Sequence, residues 1–129
     1  MSKKQLMTRQ WVNGKNRIKC KLALIIFEED NNYITFCPAL DLSGYGATEE
    51  EAKESFELTL SEYFKYTVNK KTFADDLKKH GWIIRKSFKK PAVPPTMQHL
   101  LETNKDFNRI FNNYNFKKKD TTVDIPALV

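Results

Sequence analysis

Residues 32–66 decide the fold of this chain. They read Asn32-Asn-Tyr-Ile-Thr-Phe-Cys-Pro-Ala-Leu-Asp-Leu-Ser-Gly-Tyr-Gly-Ala-Thr-Glu-Glu-Glu-Ala-Lys-Glu-Ser-Phe56, followed by Glu-Leu-Thr-Leu-Ser-Glu-Tyr-Phe-Lys-Tyr66. Aromatic and β-branched residues predict a strand over 33–37, and Pro38 ends it because proline cannot donate a ladder hydrogen bond. Leu40 and Leu42 alternate with polar residues, which predicts a third short strand that ends at Gly44-Tyr-Gly46. These local signals agree with one another, as expected of a folding nucleus.

A long helix follows the glycines. Thr48 is the predicted N-cap and Glu51 stands three residues later, which is a capping box. The predicted helix runs from about 49 to 69. Its buried stripe at helical spacing is Ala52, Phe56, Leu60, Tyr63, Phe64 and Thr67. The glutamates that periodicity places away from that stripe are Glu50, Glu54, Glu57 and Glu62.

The rest of the chain predicts a sheet, further helices and a linker. Asn13-Gly14 indicates a hairpin turn between a short and a longer strand, and the alternative for this first segment is a frayed terminal arm. Residues 18–37 read as a hairpin of two strands around the polar turn 28–32. After the long helix, the predicted elements are a short helix at 73–79 ended by Gly81, a fourth strand at 82–88, a proline-stiffened linker at 89–95, a helix at 97–113 capped by Thr96, and a terminal strand at 121–129. The polar run 117–120 is not assigned to the strand.

Length and pattern together predict the α/β (α+β) class. The 129 residues suit one core. We predict a first segment, 1–90, that holds the sheet domain with its basic start. The second, 91–129, is an oligomerisation arm of linker, helix and terminal strand. A terminal strand can pair with its own sheet or with a neighbouring copy, so self-association is expected.

Charge is unevenly distributed along the chain, whose formal net charge is +6. Residues 22–62 hold ten acids and one lysine, whereas the residues on either side of this block are basic. An acidic block suits a basic partner. The basic ends could instead meet nucleic acid, and the lysines singled out for that role are Lys89, Lys90, Lys117, Lys118 and Lys119.

No residue set predicts an enzyme. A metal-dependent nuclease needs converging carboxylates, and the candidates Glu28, Glu29 and Asp30 lie in a turn while Asp41 stands alone. His80 and His99 read as surface or capping histidines. No catalytic, cofactor-binding or metal-binding residue is therefore predicted.

The cysteines and the hydropathy pattern bear on location. Cys20 and Cys37 each lie in a predicted strand, where a disulfide is conceivable, but two buried thiols in a reducing compartment are the favoured interpretation. No stretch is long and apolar enough for a membrane span, and no secretory signal follows the basic start. A cytoplasmic location is the expectation.

The stretch 33–64 resembles the HicB antitoxin family of bacterial type II toxin–antitoxin systems. The residues that carry the resemblance are Tyr33-Ile34, Pro38, Leu40, Gly44, Gly46, Thr48, Glu51 and Ala52, and the similarity extends over roughly residues 18–86. The resemblance implies a small β-β-β-α-β domain with a partial ribonuclease-H-like fold that lacks catalytic carboxylates. It also implies that the chain binds and neutralises a small HicA-type toxin that cleaves mRNA.

The chain departs from the family pattern at its ends. Many members repress their own operon through a C-terminal helix-turn-helix or ribbon-helix-helix module. Here one predicted helix and one strand follow the linker, and this order forms neither module. The alternative function is a stand-alone RNA- or DNA-binding accessory protein that uses its basic ends.

Overall fold

One long strand, β2 (Lys15–Glu29), runs through the centre of a five-stranded antiparallel sheet. The computed structural model describes residues 7–12, 15–69, 73–84 and 92–126. Strand β1 (Met7–Val12) pairs with the first part of β2, and β3 (Asn32–Cys37) pairs with its last five residues. Strand β7 (Phe116–Pro126) pairs with β2 over most of its length. Because parts of β2 pair on both edges at once, β1 and β3 lie on one side of it and β7 on the other.

Helix α1 (Glu49–Asn69) covers one face of this sheet. Strand β4 (Leu42–Gly46) pairs with the free edge of β3, and the register sets Thr35 between Ile26 of β2 and Gly44 of β4. Directly paired residues in antiparallel strands point to the same face. These positions therefore lie under α1, together with Leu24, which lies beside Phe56 of the helix.

The last helix covers the opposite face. Helix α4 (Lys105–Asn113) buries Phe107 and Ile110. The Tyr114 ring, just after it, lies 5.2 Å from the ring of Phe27 in β2, and the Phe111 ring lies 5.5 Å from that of Phe116 in β7. The sheet is thus a central layer with a helix on each side, as an amphipathic sheet requires.

Within the described residues, four short elements, two helices and two strands, connect α1 to α4. Helix α2 (Phe73–Lys79) packs the ring of Phe73 against Tyr63 and Phe64 of α1. Strands β5 (Ile83–Ile84) and β6 (Ala92–Val93) pair with each other, and α3 (Met97–Thr103) leads into α4. Side chains from both predicted segments, 1–90 and 91–129, join one buried cluster. The role of the second segment as an oligomerisation arm stays a prediction.

The mixed α+β class is confirmed, and so are several elements. Strands β1 and β2 form the N-terminal hairpin, and α1 and α2 begin and end where the spacing predicts. Gly81 ends α2 at a φ of +94°, and the amides of Gly81 and Trp82 donate to Lys78 and Leu77, the pattern of a helix C-cap.

The prediction that residues 82–88 form a fourth strand of the main sheet is wrong. In the described part of this segment only Ile83–Ile84 is strand, and it pairs with β6 outside the main sheet. Residues 85–91 lie outside the described residues. Strand β7 fills the edge of β2, and it begins at Phe116, so the run Lys117–Asp120 is strand rather than a polar loop. The continuous apolar run of β2 offers ladder partners there, and these outweigh the low strand propensity of lysine.

The predicted helix at 97–113 is two helices that meet at Asn104. The Asn104 backbone is extended (φ −101°, ψ 106°), its amide closes α3 on Leu100, and its side-chain oxygen accepts from the amide of Phe107, 3.0 Å away. One asparagine therefore caps the end of α3 and the start of α4, which breaks the helix.

Both cysteines are free and buried, as favoured from the sequence. Desolvation by burial is the main cause that raises the pKa of each thiol from 9.0 to about 12. Both side chains therefore stay protonated and inert at neutral pH.

Candidate functional site

The start of α1 is held by the predicted capping box. The Thr48 hydroxyl accepts from the amide of Glu51 at 3.1 Å, and the Glu51 carboxylate accepts from the amide of Ala47 at 2.9 Å. The carboxylate thus reaches one residue beyond the N-cap amide that such a box usually uses. Two backbone amides at the start of the helix, which would otherwise lack a hydrogen-bond acceptor, therefore donate to side chains. These bonds fix the direction of α1.

Two glycines of β4 let α1 lie directly against the sheet. A Cβ at Gly44 would lie 2.6 Å from the carbonyl oxygen of Ala52 and 2.6 Å from the Cα of Phe56. One at Gly46 would lie 2.6 Å from the amide nitrogen of Ala52. These obstacles are helix backbone, which cannot turn away as a side chain can. Gly44 and Gly46 therefore serve packing, and Ala52 is small for the same reason.

The segment Pro38–Leu40 is a buried turn that anchors the C-terminal half. The Trp82 indole donates to the carbonyl of Ala39 at 2.7 Å, and Leu40 is 1% exposed. Asp41 follows at a φ of +56°, and its carboxylate accepts from the Asn104 side chain at 3.2 Å. The family-like residues of this turn are thus structural in this chain, and Asp41 is engaged in a local hydrogen bond.

The outer side of α1 carries an exposed acidic surface. Glu50, Glu54, Glu57 and Glu62 are all exposed, and Leu58, in the same row at four-residue spacing, is 63% exposed. We call these five residues the acidic face. Among the described side chains, the recorded ion pairs use other carboxylates. The acidic face therefore presents four carboxylates and one leucine to solvent.

Two of the three described lysines that were predicted to contact nucleic acid form ion pairs within the chain. Lys117 lies 2.6 Å from the carboxylate of Glu49, and Lys118 lies 3.3 Å from that of Asp120. Lys119 is exposed on β7. Lys89 and Lys90 lie outside the described residues. Among the three described lysines, Lys117 and Lys119 share one face of β7 and Lys118 lies on the other.

A polar cleft, in contrast, joins residues that the sequence separates. It has a volume of about 510 Å³ and lies between the end of α2, the start of α3 and the start of α4. His80 follows α2 and His99 lies on α3, next to Gly81. The residues that define the polar cleft are Lys78, Lys79, His80, His99 and Lys105, with Asp41 and Asp106 also at its wall. Sequence reasoning missed this site because its parts meet only through tertiary packing.

The candidate nuclease carboxylates are spread out. Glu29 accepts from the Tyr114 hydroxyl and lies 3.5 Å from Arg109, whereas Asp41 belongs to the turn after β3. The hydrogen bond from Tyr114 to Glu29 is the leading cause of a raised pKa of that tyrosine. Within the described ranges, no three His, Cys, Asp or Glu residues form a group able to hold a metal ion. No described helix is both long and apolar enough to cross a membrane.

Comparisons of this chain with known proteins found no match. No family model, no curated protein and no solved structure matches it. The functional argument therefore rests on the residues and on the geometry described above.

Proposed function

We propose that this protein is a HicB-like antitoxin that acts in the cytoplasm and uses its acidic face to bind and neutralise a small, basic, mRNA-cleaving toxin of the HicA type. The single observation that carries the proposal is the row of four exposed carboxylates on α1. The resemblance of residues 33–64 to that family is a second support. On this proposal the domain has a partial ribonuclease-H-like fold and no catalytic role.

Charge favours a basic partner at this surface. An enzyme that cleaves RNA must itself attract phosphates, so its binding surface carries cations. A matching acidic surface speeds the encounter and orients the two proteins. Leu58, exposed among the glutamates, offers the apolar contact that the centre of an interface uses.

The contacts that hold α1 rigidly against the rest of the protein also support the proposal. The capping box holds the start of the helix, and the close approach at Gly44 and Gly46 holds its first two turns against the sheet. Near the other end, the Tyr63 hydroxyl donates to Asp76 of α2. A surface held in this way loses little conformational freedom on binding, which favours affinity.

The test is a charge reversal with a matched control. Glu57→Lys changes the acidic face, and Glu102→Lys makes the same charge change at an exposed glutamate of α3. The partner is the small basic protein encoded next to this chain's gene, measured by titration calorimetry and by rescue of growth. We expect Glu57→Lys to weaken binding about tenfold, and Glu102→Lys to change it less than about twofold.

Two results would remove the proposal. One is equal weakening by both variants, which would exclude the acidic face as the binding surface. The other is a wild-type protein that neither binds the small basic protein encoded next to its gene nor reduces the toxicity of that protein.

A second function, nucleic-acid binding, is favoured by the polar cleft. Three lysines and two histidines from three elements face one volume of about 510 Å³. Phosphate oxygens accept hydrogen bonds from such groups. We propose that RNA or DNA would bind here rather than along Lys117–Lys119. Affinity for a labelled single-stranded oligonucleotide should then fall steeply with salt and fall further in Lys105→Glu, whereas Lys119→Glu should leave it unchanged.

A further inference from the structure

Strand β7 has a long free edge. Its eleven residues pair with β2 on one side, and within the described chain no strand pairs with the other side. A free edge presents unpaired amide and carbonyl groups in a row, which can add a further strand. The question is which strand fits this edge, and the sequence of β7 itself restricts the answer.

The faces of β7 limit how two copies could pair. Thr121 lies opposite Leu22 and Lys119 opposite Leu24, so odd-numbered residues of β7 share the α1 side of the sheet. Even-numbered residues share the other side, where Asp124 pairs with Lys19. When a two-fold axis perpendicular to the sheet relates the two copies, their β7 strands pair antiparallel. The α1 sides of both copies then lie on the same face of the joined sheet. Residues from the same face must therefore meet, which leaves only registers that pair one residue with its own copy.

Charge distinguishes among those registers. A centre at Lys119 sets two lysines against each other, and a centre at Asp120 sets two aspartates against each other. A centre at Thr122 sets Asp120 of each copy opposite Asp124 of the other. A centre at Thr121 opposes Lys118 to Asp124 twice, creates no like-charged pair and pairs all eleven residues. Opposite charges across an antiparallel pair stabilise it, and like charges destabilise it.

We propose that β7 is a dimer-forming edge that pairs antiparallel with β7 of a second copy of this chain, centred on Thr121. The occupant of the edge is thus this protein itself, and one continuous sheet runs through both copies. The aspartates and lysines of β7 together act against slipped pairings, because the neighbouring registers bring two aspartates together and the register centred on Lys119 brings two lysines together. The side chains of Lys118 and Asp124 are 48% and 51% exposed, and the new pair would replace the exposed ion pairs that they form with Asp120 and Lys19 within one chain.

The pairing has a consequence for the groove between α1 and β7. This groove has a volume of about 300 Å³, and its walls include Leu24, Phe56, Leu60 and Val123. It lies along the same strand that forms the dimer edge. The two grooves of a dimer would therefore lie side by side on one face of the continuous sheet.

The first experiment is disulfide formation at single introduced cysteines in the full chain. Thr121→Cys should form a covalent dimer under mild oxidation, because its Cβ meets its own copy at about 5 Å. Lys119→Cys should not, because its copy lies four residues away along the paired strand. The native thiols of Cys20 and Cys37 are buried and leave the readout clear. Equal cross-linking at both positions would overturn the register.

The second experiment measures the dimer itself by analytical ultracentrifugation. The wild-type chain should sediment at twice its monomer mass of 15.1 kDa. Asp124→Lys should weaken the dimer about tenfold, and adding Lys118→Asp should restore it. Circular dichroism checks that each variant is folded. A wild-type protein that stays monomeric up to about 100 µM would overturn the proposal, as would a double variant no tighter than the single one.

Discussion

Replacing Gly44 by alanine tests the packing that positions α1. The new Cβ would lie 2.6 Å from both the carbonyl oxygen of Ala52 and the Cα of Phe56, and nearer still to the Phe56 amide nitrogen. Ordinary contacts of this kind are about 3.5 Å or longer. The helix must therefore retreat by about 1 Å, because its backbone has no other way to relieve the overlap.

The cost follows from what the retreat uncovers. Phe56 is 2% exposed and Ala52 is fully buried, so both lose contacts when α1 moves. A gap of up to 1 Å removes a quarter to a half of each contact energy, and a buried phenylalanine contributes up to about 3 kcal/mol. With the strain of overpacking added, we expect a loss of about 3 kcal/mol in the free energy of unfolding.

Urea denaturation followed by circular dichroism measures this loss. Gly81→Ala is the matched control, because its obstacle is the flexible His99 side chain and its cost comes from a φ of +94°. That variant should lose about 1 kcal/mol. If Gly44→Ala lost less than about 1 kcal/mol, or less than the control, the close approach of α1 would not be the reason for this glycine.

Four further outcomes are expected. Trp82→Phe removes a buried hydrogen bond and leaves a carbonyl unpaired, so urea unfolding should show a loss of about 2 kcal/mol. The Thr35 hydroxyl is fully buried without a recorded hydrogen-bond partner, so Thr35→Val should raise the unfolding free energy by about 1 kcal/mol, and a decrease would mean that the hydroxyl is satisfied. Asn104→Ala removes one helix cap and should cost about 1 kcal/mol in the same assay. Burial raises the pKa of the Cys20 and Cys37 thiols from 9.0 to about 12, so the folded state holds their protons more tightly than the unfolded state does. Their contribution to stability should be constant below pH 9 and fall between pH 9 and 12, and Cys37→Ala should reduce that decrease.

Local signals predicted what local physics controls. The Thr48 and Glu51 pair, followed by apolar residues at helical spacing, was enough to place α1, and the glutamates of the acidic face are exposed as periodicity predicts. Gly44 and Gly46 were predicted only as the end of the third strand, but the structure shows that α1 lies too close to both for a side chain.

Tertiary contacts decided what the sequence could not. The run Trp82-Ile-Ile84 has the composition of a strand. Its tryptophan, however, donates a hydrogen bond to the carbonyl of Ala39, which is distant in the sequence. Asn104 carried a readable signal, since asparagine caps helices and Asp106 follows in the first turn. His80 and His99 gave no such signal, because the polar cleft forms only when α2 and α3 pack.

The pairing of β2 with β7 also sets an order for folding during synthesis. Leu22 pairs with Thr121, so one edge of the central strand can be completed only after the chain has been made as far as β7. Until then β2, with its continuous apolar run from Leu22 to Phe27, has one open edge, and such edges can pair with other chains. Contacts this distant in sequence also slow folding. Pairing by β7 thus protects the newly made chain from aggregation, and a ribosome that stops before Phe116 would release a chain with β2 unpaired along that edge.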